Sequence, residues 1–230
     1  MITKSLKNLL MISVVTVIYS SCSFGGNDIA MSSVEGIAKV KELVKDNVNL
    51  NEFKIYRLSW EEGSKDLQLT NILGRIEIGY IDKDGNSYSR TIVRKDGKYI
   101  PEESKKRSQS AYSYKLTTGL NLEKIDPDQV RQHVIDGAEL SLHAKEGDQY
   151  EFKTVKSINF KVNAVNKSYE QNWEGWSDKQ KAGYNQVEES FELNFIKKGE
   201  KEEVYGKKIW TNYYTVPFVI GETGKVEMKQ

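Results

Sequence analysis

The chain has 230 residues and is close to neutral, with 34 lysines and arginines against 33 aspartates and glutamates. This balance argues against a nucleic-acid or polyanion binder, because such proteins usually carry a basic excess. A composition of 29% charged and 10% aromatic residues, with three prolines, is typical of a folded domain rather than of a disordered chain.

The first residues have the pattern of a cleaved export signal. A basic start precedes an apolar run from Leu9 to Tyr19, and these 11 residues are too few to span a bilayer. Two serines and Cys22, the only cysteine, follow the run. The stretch from Tyr19 to Cys22 resembles the lipobox of bacterial type II signal peptides, except that Tyr19 stands where that family usually has Leu, Val or Ile.

The resemblance implies that residues 1–21 are removed and that Cys22 carries the lipid. Because Ser23 rather than an aspartate follows the cysteine, it also implies an outer-membrane location. The alternative is ordinary secretion with an incidental cysteine. We favour lipidation, because a lone cysteine forms no internal disulfide and a free thiol is awkward in an oxidising compartment.

The mature chain begins with a predicted tether, residues 22–31, which would hold the folded part off the membrane. A first unit over residues 32–100 opens with a helix over about 33–46. Its start is indicated by Ser32 as N-cap and Glu35 three residues later, followed by apolar residues at helical spacing.

The strands of this first unit are predicted from β-rich stretches and turn residues. Residues 53–60 change register near Tyr56, which indicates a bulge or a twist. Residues 76–80 and 87–93 flank a turn at 82–86, and this pattern predicts a β-hairpin.

A second unit, residues 124–230, follows a predicted linker over 101–123. The linker contains the run Lys105-Lys106-Arg107, which we interpret as a solvated charge cluster. The second unit opens with a helix, because Asp126 is a good N-cap and Pro127 suits the first helical position; we expect it to end near Gly137 or Leu140. The strands predicted after it are 158–162, 191–195, 209–220 and 226–228.

Apart from the last short strand at 226–228, the order of one helix followed by three strands therefore occurs twice. We expect an α+β class with two helix-plus-antiparallel-sheet units, αβββ repeated, after the cleaved signal. Each unit resembles the small modules of PepSY-like and β-lactamase-inhibitor-like exported proteins, and this resemblance concerns element order alone.

The chain has none of the short motifs that mark common active sites. It lacks a Gly-x-Ser-x-Gly elbow, a Ser-x-x-Lys pair, a Walker loop and a His-Glu-x-x-His pair. His133 and His143 are interpreted as surface or helix-end residues. Two carboxylate pairs are interpreted as solvated: Glu61-Glu62 and Glu188-Glu189. The sequence therefore predicts a protein that is not an enzyme.

A metal site is not expected either. Asp82, Asp84 and Asn86 resemble the start of a calcium loop, but the glycine stands at the fourth position and Val93 occupies the twelfth. A hairpin turn explains the same residues, since Asp, Asn and Gly are what such turns require. Two histidines without a cysteine in the mature fold argue against structural zinc, so we predict no cofactor.

The most unusual stretch runs from Tyr169 to Tyr184 and holds four aromatic residues among polar ones. As an exposed loop it would bind through Trp173, Trp176 and Tyr184, because aromatic rings stack on sugars or fill a partner's pocket. Alternatively, the two tryptophans lie on one face of a short helix and cover the sheet. On their spacing of three, we favour the second interpretation.

We therefore predict a cell-envelope lipoprotein that acts as a non-catalytic binding protein. Its expected partner is a protein, in the manner of an inhibitor, an immunity protein or an accessory factor. One alternative is a glycan-binding lipoprotein that uses residues 169–184. A second alternative is a hydrolase whose site is assembled from scattered residues.

Overall fold

The computed structural model describes residues 28–63, 67–107, 111–201, 203–205 and 208–229. The predicted signal peptide, residues 1–21, and the predicted lipid attachment at Cys22 lie outside the described residues. Within the described ranges, no helix is both long and apolar enough to cross a bilayer.

The described residues form three α-helices and eleven strands. The helices are α1 (Val34–Asn47), α2 (Pro127–Leu142) and the single-turn α3 (Asp178–Lys181). The strands are β1 (Lys54–Glu61), β2 (Arg75–Ile81), β3 (Ser87–Lys95), β4 (Lys98–Pro101), β5 (Lys105–Lys106), β6 (Tyr150–Val162), β7 (Val187–Lys197), β8 (Glu203–Tyr205), β9 (Lys208–Trp210), β10 (Tyr214–Ile220) and β11 (Val226–Met228).

Nine of these strands form one antiparallel sheet in the order β11-β10-β7-β6-β1-β2-β3-β4, with β5 also paired to β3. At its centre β1 pairs with β6, from Arg57 opposite Lys161 to Glu61 opposite Ser157. The predicted α+β arrangement of two helix-plus-sheet units is therefore wrong. In two separate units, β1 and β6 would be edge strands whose outer N–H and C=O groups have no backbone partner. Pairing β1 with β6 gives the backbone groups of both strands hydrogen-bond partners.

One main core serves the whole sheet. Helices α1 and α2 contact each other and pack on the same core as both halves of the sheet. The largest fully buried side chains of this core include Trp60, Phe191 and Phe218. The helices contribute Ile37, Val40, Leu43 and Val44 from α1, and Val130, Val134, Ile135 and Ala138 from α2.

The first helix begins one residue later than its sequence pattern predicts. Ser33 is the N-cap, and its Oγ accepts a hydrogen bond of 3.0 Å from the backbone N–H of Gly36. The serine chosen from the sequence, Ser32, is instead buried. Adjacent serines can satisfy the same capping pattern, so only packing decides between them.

The start of α2 is confirmed, and the helix ends two residues after the later of its two predicted ends, Gly137 and Leu140. The Asp126 side chain accepts hydrogen bonds from the N–H groups of the first turn, and Pro127 opens the helix. The helix continues through Gly137 to Leu142. Gly137 serves packing rather than termination, because a Cβ at this position would lie 2.8 Å from Cε2 of Phe191 on β7.

Two local predictions for the first strands are confirmed. The pairing of β1 with β2 shifts register between Ile55 and Arg57, as the pattern around Tyr56 indicates. Strands β2 and β3 form a hairpin, and its turn is held by Asp82, which accepts hydrogen bonds from the backbone N–H of Asn86 at 2.7 Å and from other groups of the hairpin.

The last residues of the predicted tether, 28–31, pack against the sheet. The N–H of Met31 donates to the carbonyl oxygen of Asn71 at 3.1 Å, and the carbonyl oxygen of Met31 accepts from Nε1 of Trp60 at 2.9 Å. Met31 is fully buried. The described chain therefore enters the fold beside the β1 end that carries Trp60.

The face of the sheet opposite the helices is largely polar. On this face, where β1 ends and β2 begins, Arg75 lies 3.5 Å from Glu61 and 2.5 Å from Glu77. A second, smaller hydrophobic cluster forms at one end of the sheet, where residues 111–120 pack against the strand ends. Its members are Tyr56, Ile81, Val162 and Ala164, with Tyr112, Tyr114 and Leu120 against them. One solvated face is usual for an antiparallel sheet.

Candidate functional site

A long connection, residues 163–186, joins β6 to β7 at one end of the sheet. Its two ends are tied together, because Asn163 N donates to the oxygen of Gln186 at 2.9 Å and Asn185 N donates to the oxygen of Asn163 at 2.8 Å. Between them the chain forms single turns at Lys167–Tyr169 and Trp173–Gly175, followed by α3. The connection is thus an ordered projection from the sheet, and such loops often carry function.

This connection lies away from the N-terminal end of the described chain. The N-terminal end lies close to Val155 of β6, because Asn71 bonds to both. The backbone oxygen of Asn71 accepts from the N–H of Met31, and its side-chain oxygen accepts from the N–H of Val155 at 3.3 Å. Along β6, Val155 and Val162 are separated by about 24 Å at the usual rise of a strand. The connection starts beyond Val162, so the fold holds it at the distal end of the sheet.

Four side chains of the connection form what we call the aromatic cluster: Tyr169, Trp173, Trp176 and Tyr184. The centroid of Tyr169 lies 4.9 Å from that of Trp176, and the centroid of Trp173 lies 5.3 Å from that of Trp176. Tyr184 completes the set, at 5.5 Å from Trp173 and 5.9 Å from Trp176. These tilted and edge-to-face contacts are the favourable arrangements for aromatic pairs.

The aromatic cluster belongs to neither hydrophobic core. Each of its four side chains is half-buried, and the burial comes with contacts to the other rings of the cluster. Trp173 and Trp176 therefore do not cover the sheet, as the interpretation favoured from their spacing requires. The role of Trp173, Trp176 and Tyr184 in binding stays a prediction.

A cleft of about 1060 Å³ lies beside the aromatic cluster. One wall comes from the end of the connection, where Ala182, Gly183 and Gln186 line the space. The opposite walls come from α2, from the first residues of β7 and from the end of β10. Pockets that hold small ligands are typically of this size or smaller, so a ligand or a partner's side chains fit here.

His133 and Glu189 line this cleft as a hydrogen-bonded pair. His133 Nδ1 lies 2.9 Å from Oε1 of Glu189, and the two side chains are 7% and 13% exposed. Burial raises the pKa of the Glu189 carboxyl, and His133 opposes that shift. The pair thus presents a fixed imidazole, oriented by a carboxylate, to whatever occupies the cleft.

Two sequence interpretations are corrected by this pair. His133 lies in the middle of α2 and is buried, not at the surface, whereas His143 caps the helix and is exposed as predicted. Glu189 is half-buried on the core side, although the pair Glu188-Glu189 is interpreted from sequence as solvated. The burial of Glu189 could have been predicted from the alternation of side chains along β7, because Glu189 lies on the same face as Phe191.

A second buried polar group lies away from the cleft. Glu62 is 2% exposed, which corrects the prediction that it is solvated. Its Oε1 accepts a hydrogen bond of 3.0 Å from Nδ2 of Asn194, and its Oε2 accepts one of 3.2 Å from the N–H of Asn71. Asn194 also donates to Thr154 at 3.1 Å, and this network joins four parts of the chain. Its burial beside the core indicates a structural role.

Comparison of the chain with protein-family models, with curated proteins and with solved structures finds no match. Across the described ranges, no group of three or more His, Cys, Asp or Glu residues is placed to hold a metal ion. What the distal end of the sheet offers is an aromatic cluster, a cleft and a buried hydrogen-bonding pair, a combination suited to binding.

Proposed function

We propose that this protein is a lipid-anchored envelope protein that binds a protein partner without catalysing a reaction. The aromatic cluster and the adjoining cleft form its binding surface. Trp173, Trp176 and Tyr184 are the anchoring side chains, and the lipid is carried by Cys22.

The observation that supports this proposal is the separation of the aromatic cluster from both cores. Rings that pack on one another outside both cores contribute less to folding than rings buried in a core, because part of each ring stays in contact with water. Tryptophan and tyrosine are, in contrast, the residues that contribute most at protein interfaces. Four such rings on the same connection as Ala182, Gly183 and Gln186, which line the cleft, are therefore better explained by a partner than by stability.

The position of the surface also suits an anchored protein. At most about 20 Å of extended chain separates Cys22 from Asp28, the first described residue. A lipid on Cys22 would thus keep the N-terminal end of the fold close to the membrane. The aromatic cluster, at the distal end of the sheet, would then face outward toward a partner.

The anchor is tested by replacing Cys22 with alanine. We expect the unchanged chain to stay with the membrane fraction and to carry an acyl mass on its N-terminal peptide. The Cys22→Ala variant should lack that mass and be released, because several acyl chains are what holds such a protein stably. Membrane association that survives the substitution contradicts the anchor.

The binding surface is tested by site-specific photo-crosslinking in intact cells. Gly175 is a suitable position for a photoreactive side chain, because a Cβ built there meets nothing within 4 Å. Lys153, exposed on β6 toward the other end of the sheet, is the matched control position. We expect one discrete protein adduct from position 175 and none from position 153.

The aromatic side chains are then removed in the same assay. Trp173→Ala together with Trp176→Ala should lower the yield of the adduct at least about tenfold, as expected for side chains at the centre of an interface. Tyr214→Ala, which removes an exposed aromatic ring elsewhere, should leave the adduct unchanged. An adduct that persists without both tryptophans contradicts the proposal.

A glycan is the second candidate ligand, supported by the polar lining of the cleft. Gln129, Asn163 and Gln186 line it beside the aromatic cluster, and amides next to aromatic rings are typical of sugar sites. Retention of the protein on envelope polysaccharide, lost in the double tryptophan variant and without any protein adduct, would favour the glycan over the protein partner.

A further inference from the structure

A smaller pocket, of about 410 Å³, opens on the polar face of the sheet. We call it the open-face pocket. Four cationic side chains line it, namely Arg57, Arg107, Lys161 and Lys229, against the single carboxylate of Glu188. The whole chain carries a net charge of only +1, so this excess is local.

The register of the sheet brings two of these cations together. Arg57 on β1 is directly opposite Lys161 on β6. Side chains so placed have their Cβ atoms about 5 Å apart, and like charges at such positions destabilise a sheet. Glu188 on β7 is directly opposite Lys161 on its other side, so the chain supplies one carboxylate beside the pair, and an anion held between Arg57 and Lys161 would reduce the repulsion that remains.

The described residues neutralise these cations only in part. Arg57 reaches Glu77 only at 4.0 Å, and Glu77 is engaged more closely by Arg75, at 2.5 Å. Neither Arg107 nor Lys161 has a carboxylate within 4.0 Å among the described residues, and Glu188 lies 3.9 Å from Lys229. Three cationic groups thus remain available to a ligand.

The buried side of the pocket is formed by Tyr56. Its ring lies over β2 at Gly79, where a Cβ would come within 3.0 Å of Cζ, so a glycine is needed for this placement. Burial raises the pKa of the Tyr56 phenol, while the charges of Arg107 and Arg57 lower it. Both guanidinium groups therefore lie near the phenol, above an aromatic floor shared with Tyr112 at 4.8 Å.

We propose that the open-face pocket binds a phosphate group, carried by a small molecule or by a lipid headgroup. Inorganic phosphate and phosphate monoesters carry between one and two negative charges near neutral pH, and a diester headgroup carries one with two oxygens free to accept hydrogen bonds, so each can contact several of these cations. The planar guanidinium forks of Arg57 and Arg107 fit phosphate oxygens in pairs, and Lys161 adds a point charge. None of the four rings of the aromatic cluster lines this pocket, which shares Phe160, Lys161 and Glu188 with the cleft, and phosphate binding goes beyond the proposed partner binding.

The direct test is calorimetric titration of the full chain, purified in detergent, with inorganic phosphate and with glycerol phosphate. We expect saturable binding that weakens about tenfold or more in Arg107→Gln and in Lys161→Gln, since each removes one charge-assisted contact. The matched control is Lys153→Gln, a neutralised exposed lysine on the same strand as Lys161. It should bind as the unchanged chain does.

A second arm distinguishes the source of the phosphate group. Vesicles that contain phosphatidylglycerol are compared with phosphatidylcholine vesicles that carry no net charge, using Cys22→Ala so that the lipid anchor does not contribute. Binding to the anionic vesicles that is lost in Arg107→Gln, without binding of the soluble phosphates, assigns the headgroup. Absence of binding in both arms, or binding that Arg107→Gln and Lys161→Gln leave unchanged, overturns the proposal.

The two proposals fail separately. Arg107 does not line the cleft beside the aromatic cluster, so Arg107→Gln should leave the adduct from position 175 unchanged. The double tryptophan variant should, conversely, bind phosphate normally. Loss of both activities in Arg107→Gln would contradict the independence of the open-face pocket.

Discussion

Replacement of Trp60 by alanine should lower the free energy of unfolding by about 3 to 5 kcal/mol, because a large buried side chain is lost and a cavity remains. The indole is 1% exposed and stacks on Phe160, with ring centroids 5.8 Å apart. Its Nε1 donates to the carbonyl oxygen of Met31 at 2.9 Å, and alanine leaves that oxygen without its partner. Urea unfolding measures the loss.

Trp173 is the matched comparison, since it is a tryptophan of the aromatic cluster rather than of the core. Trp173→Ala should lower the free energy of unfolding by about 1 to 2 kcal/mol, which is clearly less than the loss for Trp60→Ala, because only ring contacts outside the core are removed. The contrast separates structural from functional aromatic residues. Equal losses for Trp60→Ala and Trp173→Ala would mean that the aromatic cluster stabilises the fold, and would remove the main support for the proposed binding surface.

Replacement of Asn194 by leucine should destabilise the protein by about 3 kcal/mol near neutral pH, because a buried carboxylate loses a hydrogen-bond donor. Asn194 is 1% exposed, and leucine keeps its approximate volume, so the cavity left behind is small. Leucine removes three hydrogen bonds. Nδ2 of Asn194 donates to Glu62 at 3.0 Å and to Thr154 at 3.1 Å, and its Oδ1 accepts from Thr215 at 2.9 Å.

This destabilisation should depend on pH. Burial raises the pKa of Glu62 in the folded state above its ordinary value of 4.5, although nearby backbone N–H groups oppose the shift. The folded chain therefore holds the proton to higher pH than the unfolded chain, and the stability associated with the protonated carboxyl is lost as the pH rises above that value. Loss of the Asn194 donor should raise the pKa of Glu62 further, because that hydrogen bond stabilises the ionised carboxylate, and stability should then fall more steeply as the pH rises.

We therefore expect Asn194→Leu to cost less near about pH 4 than near about pH 7. The control is Glu62→Gln, alone and combined with Asn194→Leu, because glutamine does not ionise. In the Glu62→Gln background the cost of Asn194→Leu should no longer change with pH. A cost that is the same at both pH values in the unchanged background would contradict the assignment to Glu62.

Local features of the fold were predictable where a few neighbouring residues decide them. The start of α2 follows from Asp126 and Pro127, which satisfy helix N–H groups and preset the backbone. The hairpin between β2 and β3 follows from its turn residues, and the shift near Tyr56 follows from a break in alternation. The start of α1 was predicted one residue early, because Ser32 and Ser33 are equivalent in sequence.

The buried polar residues were missed although part of their signal was present. His133 follows Val130 by three positions and precedes Gly137 by four, so helical spacing alone puts it on the buried face of α2. Glu189 alternates in phase with Phe191 and Leu193. At these positions charge and periodicity point in opposite directions, because charged residues are seldom buried unless a partner is present. Sequence does not reveal such partners.

Neighbouring residues alone are enough to predict the short-range structure of this protein: where helices start, where hairpins turn, and which stretch is unusually aromatic. Only the tertiary structure decided that β1 and β6 pair, so that a single sheet replaces two separate units. It alone placed the aromatic cluster outside both cores and set Arg57 opposite Lys161. Pairing between strands that are distant in sequence depends on which strand edges and which core surfaces come together during folding. The residues next to each strand in the sequence do not specify that choice.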